Sequence, residues 1–259
     1  MSKASDMAPI CVVSDLTKTF RTGGRDRLVL DEISLEVANG EILSIVGKSG
    51  CGKSTLLRII AGIVEPTAGE VTVSGSAVTG PSAQRAMVSQ VDSVFPWYTV
   101  RQNVEYALKM KRVAARERKV IAEELINLID IPDYADVYPS RLSGGMRKRV
   151  DVARAYAAEP DLLLMDEAFG SLDVITKEQM QVELSRLLSL KRTSCMFVTH
   201  DIEEAIFIGD RVAIQALQGG HIAGIFDVPF DRPRTRELKL TSEFQDLRRN
   251  ITEMFYSIA

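Results

Sequence analysis

Apolar residues recur along this chain with two different periods. Near the start they alternate with polar ones: Cys11 to Leu16, Leu28 to Leu30, and Ile33, Leu35 and Val37 each read as strand, with turn residues at Gly23-Gly24 and Asn39-Gly40. Residues 41–46 are apolar at 42, 43, 45 and 46, a short run that suits a buried strand. That run enters a glycine-rich loop, and Ser54 to Ile60 then reads as a helix. Pro66 and Gly69 punctuate the chain before a strand at Glu70 to Val73, and a further strand is expected over Gln84 to Ser89. From about Thr99 to Ala158 the spacing turns helical, with Val104 and Leu108, then Val120, Leu125 and Leu128. Strand character returns at Leu162 to Met165. A helix is predicted over 175–190, with Met180, Leu184, Leu187 and Leu188 on one face. A strand at 194–199, a helix at 202–208 and strands near Val212 and Ile222 follow. Beyond Pro229 the chain is charged and ends in a weak helical pattern. Strands alternating with helices predict a mostly parallel α/β sheet, interrupted by a helical insertion.

Composition narrows this reading. Of the 259 residues, 46% are hydrophobic and 26% charged, enough apolar material for a sizeable core. Lys and Arg total 32 against 35 Asp and Glu, a balance that makes no electrostatic case for nucleic acid as a partner. No apolar run approaches the ~18 residues a membrane helix needs, and residues 1–10 hold no apolar signal core, so a cytosolic location is expected. Three cysteines, at 11, 51 and 195, form no C-x-x-C pair and suit a reducing compartment. Lys109, Lys111, Arg112, Arg116, Arg118 and Lys119 crowd one segment around a single acid, Glu117. The segment is either a solvated helical face or a contact for a partner or lipid headgroups.

The chemistry begins at Gly47-Lys48-Ser49-Gly50-Cys51-Gly52-Lys53-Ser54, which fits G-x-x-x-x-G-K-[ST] between a predicted strand and a predicted helix. Glycines let backbone N–H groups turn inward as an anion-binding nest, and the positive end of the helix dipole faces the same point. Lys53 is placed to reach β- and γ-phosphates and Ser54 to ligate Mg²⁺. Cys51 puts a thiol inside the loop, where a bulky reagent is expected to block binding. A second feature is Leu162 to Met165, a buried strand ending in Asp166-Glu167. Ligands of parallel sheets bind at the carboxyl ends of the strands. Asp166 is therefore a candidate to hold Mg²⁺ and Glu167 to polarise an attacking water. Third, Leu142-Ser143-Gly144-Gly145-Met146 precedes a helix predicted over Arg147 to Ala158, either an ordinary N-cap or a further anion site.

Taken together these motifs resemble the ATP-binding subunit of an ABC transporter. The loop at 47–54 is similar to that family's Walker A, Leu142 to Gly145 to its signature, and Leu162 to Asp166 to its Walker B. Glu167 stands at the catalytic glutamate position. Ser171-Leu172-Asp173 resembles the D-loop, His200 the switch histidine, and Gln90 the glutamine of the Q-loop. Phe20 fits the aromatic that stacks on adenine, its alternative being a plain core role. Phe95-Pro96-Trp97, Gly144-Gly145-Met146-Arg147 and Glu167 to Asp173 look like the nitrate/sulfonate/taurine importer subgroup. Four positions depart from the usual pattern: Lys48 and Ala168 replace prolines, and Lys148 and Asp151 replace a glutamine and a small residue.

The resemblance implies an α/β fold, a P-loop NTPase (ABC ATPase) core with an N-terminal antiparallel β region and an inserted helical subdomain. The core and β region would take about 1–90 and 159–228, the helical subdomain about 91–158 and a tail about 229–259. It implies ATP and Mg²⁺, with Phe20, Gly47 to Thr55, Ser143, Gly144, Gly145 and Asp173 on the nucleotide. Ser54, Asp166 and Gln90 would contact the metal, and Glu167, His200 and Gln90 would serve hydrolysis. Two chains would pair head to tail as a homodimer, on the cytoplasmic side of the membrane, against an integral membrane permease served by a separate solute-binding protein. Trp97 would then lie near a coupling helix of the permease, or else pack in the core. The competing classes are a soluble non-transport ABC ATPase, a P-loop kinase or GTPase, and a nucleotide sensor. No N-K-x-D motif supports a GTPase.

Overall fold

The computed structural model describes residues 8–170, 172–190 and 192–258, the side chain of Thr22 excepted. Two sheets pack across one of two apolar cores. The first is antiparallel. Strands β1 (Cys11–Thr22) and β2 (Arg25–Val37) form a long hairpin closed at Gly23-Gly24, and β4 (Ala68–Val73) and β5 (Ser76–Ala77) continue the sheet in the order β2-β1-β4-β5. The segments expected separately at 28–30 and 33–37 thus form one strand. The β1–β2 register shifts at Val13/Leu16, Leu16/Lys18 and Lys18/Thr19, irregularities that break simple alternation across the joint.

The second sheet runs β10-β9-β3-β8-β7-β6, from strands β3 (Ile42–Gly47), β6 (Arg85–Val88), β7 (Leu162–Asp166), β8 (Ser194–Thr199), β9 (Arg211–Gln215) and β10 (Ile222–Asp227). Only β10 is antiparallel to its neighbour. Every residue of β3, β7 and β8 is buried, so their side chains feed cores on both faces. Leu43 and Ile45 join Leu162, Leu164, Met196 and Val198 beneath the antiparallel sheet and helix α1 (Lys53–Ile60). Ile42 and Val46 join Leu163, Met165 and Phe197 in the larger core, which carries the remaining helices. Because these strands are parallel, the ends of β3, β6, β7 and β8 share one rim.

Helices α2 (Val100–Met110), α3 (Ala115–Leu128) and α4 (Gly144–Ala157) occupy the chain between β6 and β7. Thr99 closes a capping box with Gln102 at the head of α2. Buried Asn103 donates to the carbonyls of Phe95, Tyr98 and Thr99 and accepts from the Phe95 amide, which fixes the 95–99 loop. Trp97 is 66% exposed on that loop, so the core role left open for it does not hold. The basic side chains of 109–119 project outward, with only Arg118 partly covered.

Helix α5 (Val174–Leu190) follows β7, and α6 (Ile202–Ile208) follows β8. The tail is firmer than its sequence promised. Helix α7 (Ser242–Ser257) buries Phe244 and Ile251 in the larger core. The buried Arg234 guanidinium donates to the carbonyls of Ile206, Phe207 and Gly209, tying the tail to the end of α6. Among the described residues, no helix is long and apolar enough to cross a membrane.

Candidate functional site

An open cleft of about 490 Å³ lies at the shared strand rim. Its floor is the loop from β3 into α1. Gly52 caps that helix at φ +106°, and a Cβ there would sit 2.6 Å from Leu30 Cδ2 and 2.9 Å from the Val29 carbonyl. Only glycine meets both demands. Ser49, Gly50, Gly52, Lys53, Ser54 and Thr55 line the cleft, with Phe20 at its mouth. Lys53 is buried, and its ammonium donates to the carbonyls of Gly47 at 2.7 Å and Lys48 at 3.1 Å. It also stands 3.7 Å from Glu167 Oε1.

The acidic wall comes from β7. The Ser54 hydroxyl donates to Asp166 Oδ1 at 2.8 Å, joining the start of α1 to the end of β7. Burial holds the Asp166 carboxyl above its ordinary range, against the pull of the Ser54 hydrogen bond, and the neighbouring Glu167 carboxylate adds to the rise. A bound cation would relieve that penalty. Glu167 adopts φ +45°, uncommon for a residue with a side chain. Its N–H donates to the Val198 carbonyl and its own carbonyl accepts from the Gly170 N–H, so both neighbours hold the turn. The turn leaves Glu167 lining the cleft, with Oε2 at 3.3 Å from Nδ1 of His200, the residue just past β8. The Lys53 ammonium, a hydroxyl, two acids and an imidazole thus converge at the strand ends, beside the first turn of α1. That arrangement can bind polyphosphate and orient a water.

Gln90 is exposed and lines the cleft two residues beyond β6, the strand that pairs directly with β7. Arg27 and Val29, not anticipated from the sequence, complete the cleft. Their only signal was the register of the first hairpin, which sets Arg27 opposite Phe20. Lys18 Nζ lies 4.9 Å from the centroid of the Phe20 ring.

Several anticipated residues lie elsewhere. Cys51 is buried and its thiol is pushed up, chiefly by burial. A Cβ added at Gly47 would meet its Sγ at 2.6 Å, so the sulfur packs beneath the loop, away from the cleft. The expected block by a thiol reagent therefore does not follow. The Cys51 N–H is engaged with the Lys48 carbonyl. Ser143 caps α4 by accepting from the Met146 N–H at 3.3 Å, which starts that helix at Gly144, three residues earlier than expected. Ser143 and Gly144 are exposed and, like Gly145 and Asp173, do not line this chain's cleft. Asp173 accepts from the N–H and hydroxyl of Thr176 at the head of α5, and the hydroxyl bond holds its carboxyl below the usual range. Ser171 lies outside the described residues.

Comparison with known proteins agrees with this architecture. The ABC transporter family matches residues 30–170. The nitrate import ATP-binding protein NrtD of Synechocystis sp. is 42% identical over 89% of this chain and 88% of its own length. The bicarbonate transport ATP-binding protein CmpC of Synechococcus elongatus is 41% identical over 89% of this chain and 35% of its own. Among solved structures, the ATP-binding cassette MJ0796, a dimer in a post-hydrolysis state bound to ADP and Pi, superposes with a TM-score of 0.76. It is 30% identical and spans 85% of this chain and 100% of that one. With the phosphate loop, the acidic strand end and the histidine gathered on one rim, the chain belongs to the ABC transporter family, as an ATP-binding and ATP-hydrolysing subunit akin to those of nitrate/sulfonate/taurine-type importers.

Proposed function

We propose that this chain hydrolyses ATP at sites shared between two copies, and that the cycle energises uptake of a small anion through a separate membrane permease. The observation that carries the reading is the split between two anion-binding features. The cleft holds the phosphate loop, Lys53, Glu167 and the adjoining His200, whereas Ser143 and Gly144 stand exposed outside it. A second copy docked head to tail would bring its own Ser143 to Gly145 over the nucleotide. The dimeric cassette at 30% identity supports this arrangement. ATP would then favour the closed pair through contacts made only there.

Within each site, Phe20 stacks on adenine and the loop from Gly47 to Thr55 cradles the phosphates, with Lys53 neutralising their charge. The Glu167 carboxylate orients the attacking water, with His200 beside it on the γ-phosphate. Ser54 and Asp166, already joined by a hydrogen bond, fit a divalent cation, and Gln90, just beyond the strand that pairs with β7, is the further candidate to contact it. One hydroxyl and one carboxylate, rather than a cluster of acids, suit Mg²⁺, which keeps waters and phosphate oxygens as its other ligands. When bound it would offset the negative charge of the terminal phosphates.

The exposed ring of Trp97, stacked on Phe95 at 5.5 Å, offers the permease an aromatic contact on the loop beyond Gln90. The names of the nitrate and bicarbonate relatives support a small anion as cargo. A solute-binding protein would deliver it from the far side. The chain itself would sit peripherally on the cytoplasmic face. Replacing Glu167 by Gln tests the central claim: ATP affinity should survive while kcat falls about 100-fold or more. ATP should also shift that variant from monomer to dimer on gel filtration. Normal turnover would remove Glu167 from the mechanism. Copurification with an integral membrane protein tests the transport assignment.

A further inference from the structure

Lys148 and Asp151, two departures from the family pattern, belong to one buried network. Lys148 lies on α4, wholly inaccessible, with its ammonium donating to the carbonyls of Ser89 at 2.8 Å and Gln90 at 3.3 Å. Two carboxylates balance it: Asp92 at 3.6 Å and Asp151, one turn along the helix, at 3.9 Å. Asp151 is equally buried. Its Oδ1 accepts from the Ser93 hydroxyl at 2.6 Å and from Arg154 at 2.7 Å, while Arg154 also donates to the Ser93 carbonyl. Every polar arm of this pair that leaves α4 ends on residues 89–93. Without Asp151 the buried Lys148 would keep only the more exposed Asp92 as a counter-charge, and without Lys148 the buried Asp151 would keep only Arg154. Together they form a charged clamp between the helix that begins at Ser143-Gly144 and the backbone of Gln90.

We propose that Lys148 and Asp151 are positioning residues for Gln90. They fasten its backbone to α4, so that the wall of the cleft and the segment offered to the partner move as one body. The inference rests on the role assigned to Gln90 above. Its mechanism is specific: the donor at 148 does the positioning, and Asp151, together with Asp92, balances that donor's charge in the interior.

The test separates donor from charge. In K148M/D151A both charges leave and no donor remains. In K148Q/D151A both charges leave, but the glutamine amide still donates to a carbonyl. Both variants remove the same ion pair, so their urea midpoints should agree. Steady-state ATPase of the full chain should then give a kcat about tenfold lower for K148M/D151A than for K148Q/D151A, with KM for ATP within about twofold. Equal kcat values, or kcat differences that track the urea midpoints, would overturn the proposal. Gln90→Ala is measured alongside. A reduced kcat there, with no difference between the two double variants, defeats the clamp alone. A wild-type kcat for Gln90→Ala defeats the role of Gln90 and the clamp with it.

Discussion

Gly145 supplies a quantitative test of how α4 is seated on α5. A Cβ built at Gly145 would approach Thr176 Cγ2 to 2.5 Å, about 1 Å inside ordinary van der Waals contact. Thr176 has little freedom to yield, because its hydroxyl and N–H both serve Asp173. Overpacking of this kind costs about 1–3 kcal/mol. Alanine in place of glycine in a helix returns roughly 0.5–1 kcal/mol. Taking the middle of each range, G145A should therefore lose roughly 1–1.5 kcal/mol net. T176S deletes the offending methyl and keeps the hydroxyl, so the double variant G145A/T176S refills the vacated space. The assay is urea unfolding of the nucleotide-free chain, wild type, both single variants and the double, read as a double-mutant cycle. With a slope of about 2 kcal/mol per molar urea, G145A should move the midpoint down by roughly 0.5–0.8 M. The coupling between the two changes should be favourable by about 1–3 kcal/mol. An unshifted midpoint for G145A, or strictly additive single effects, would refute the steric reasoning.

Two further outcomes can be checked directly. If Phe20 stacks on the base, F20A should weaken ATP binding by about 1–3 kcal/mol, roughly 5- to 150-fold in Kd by titration calorimetry, and F20W should retain affinity. Unaltered affinity in F20A would assign the ring to packing against Lys18. All three cysteines are buried, and burial pushes the Cys11 thiol up to about 12 and those of Cys51 and Cys195 in the same direction. A maleimide at pH 8 should therefore leave the folded chain unlabelled with or without ATP and react only in denaturant. Rapid native labelling of Cys51, read by mass spectrometry, would contradict the inward orientation of its sulfur.

Much of the site was legible because its requirements are local. The phosphate loop needs glycines at fixed offsets between a strand and a helix, and residues 47–54 announce that in eight positions. Asp166-Glu167 could be read because two acids directly after a run as apolar as Leu162 to Met165 mark the carboxyl end of a buried strand, where parallel sheets bind their ligands. What could not be read depends on register or on third parties. Arg27 reaches the cleft through the pairing of a long, irregular hairpin. The inward turn of Cys51 is set by its packing against Gly47. Lys148 and Asp151 look like faults in a motif until residues 89–93, far off in sequence, are laid beside them. Helix α7 looked weak because its apolar positions are few; Phe244 and Ile251 gain their stabilisation from a surface the tail does not itself supply.

The strand order of the parallel sheet also bears on how the protein is made. Strand β3 pairs with β8, residue 46 against residue 199, and β8 stands between β3 and β7. The phosphate loop is thus synthesised early, but the strand that seats it beside Glu167 and His200 emerges about 150 residues later. At roughly 5–20 residues per second, a nascent chain spends on the order of 10 s with Lys53 made and its counterpart acids unplaced. Throughout that interval β3 lacks both of its neighbours, and from the synthesis of β7 until β8 follows, about 30 residues later, the β8-facing edge of the apolar run at 162–165 is open to other chains. Closing the sheet also completes the site. A chain truncated before residue 199 would therefore lack turnover and expose sticky strands together, and slowed translation between β7 and β8 should favour aggregation over any partly active product.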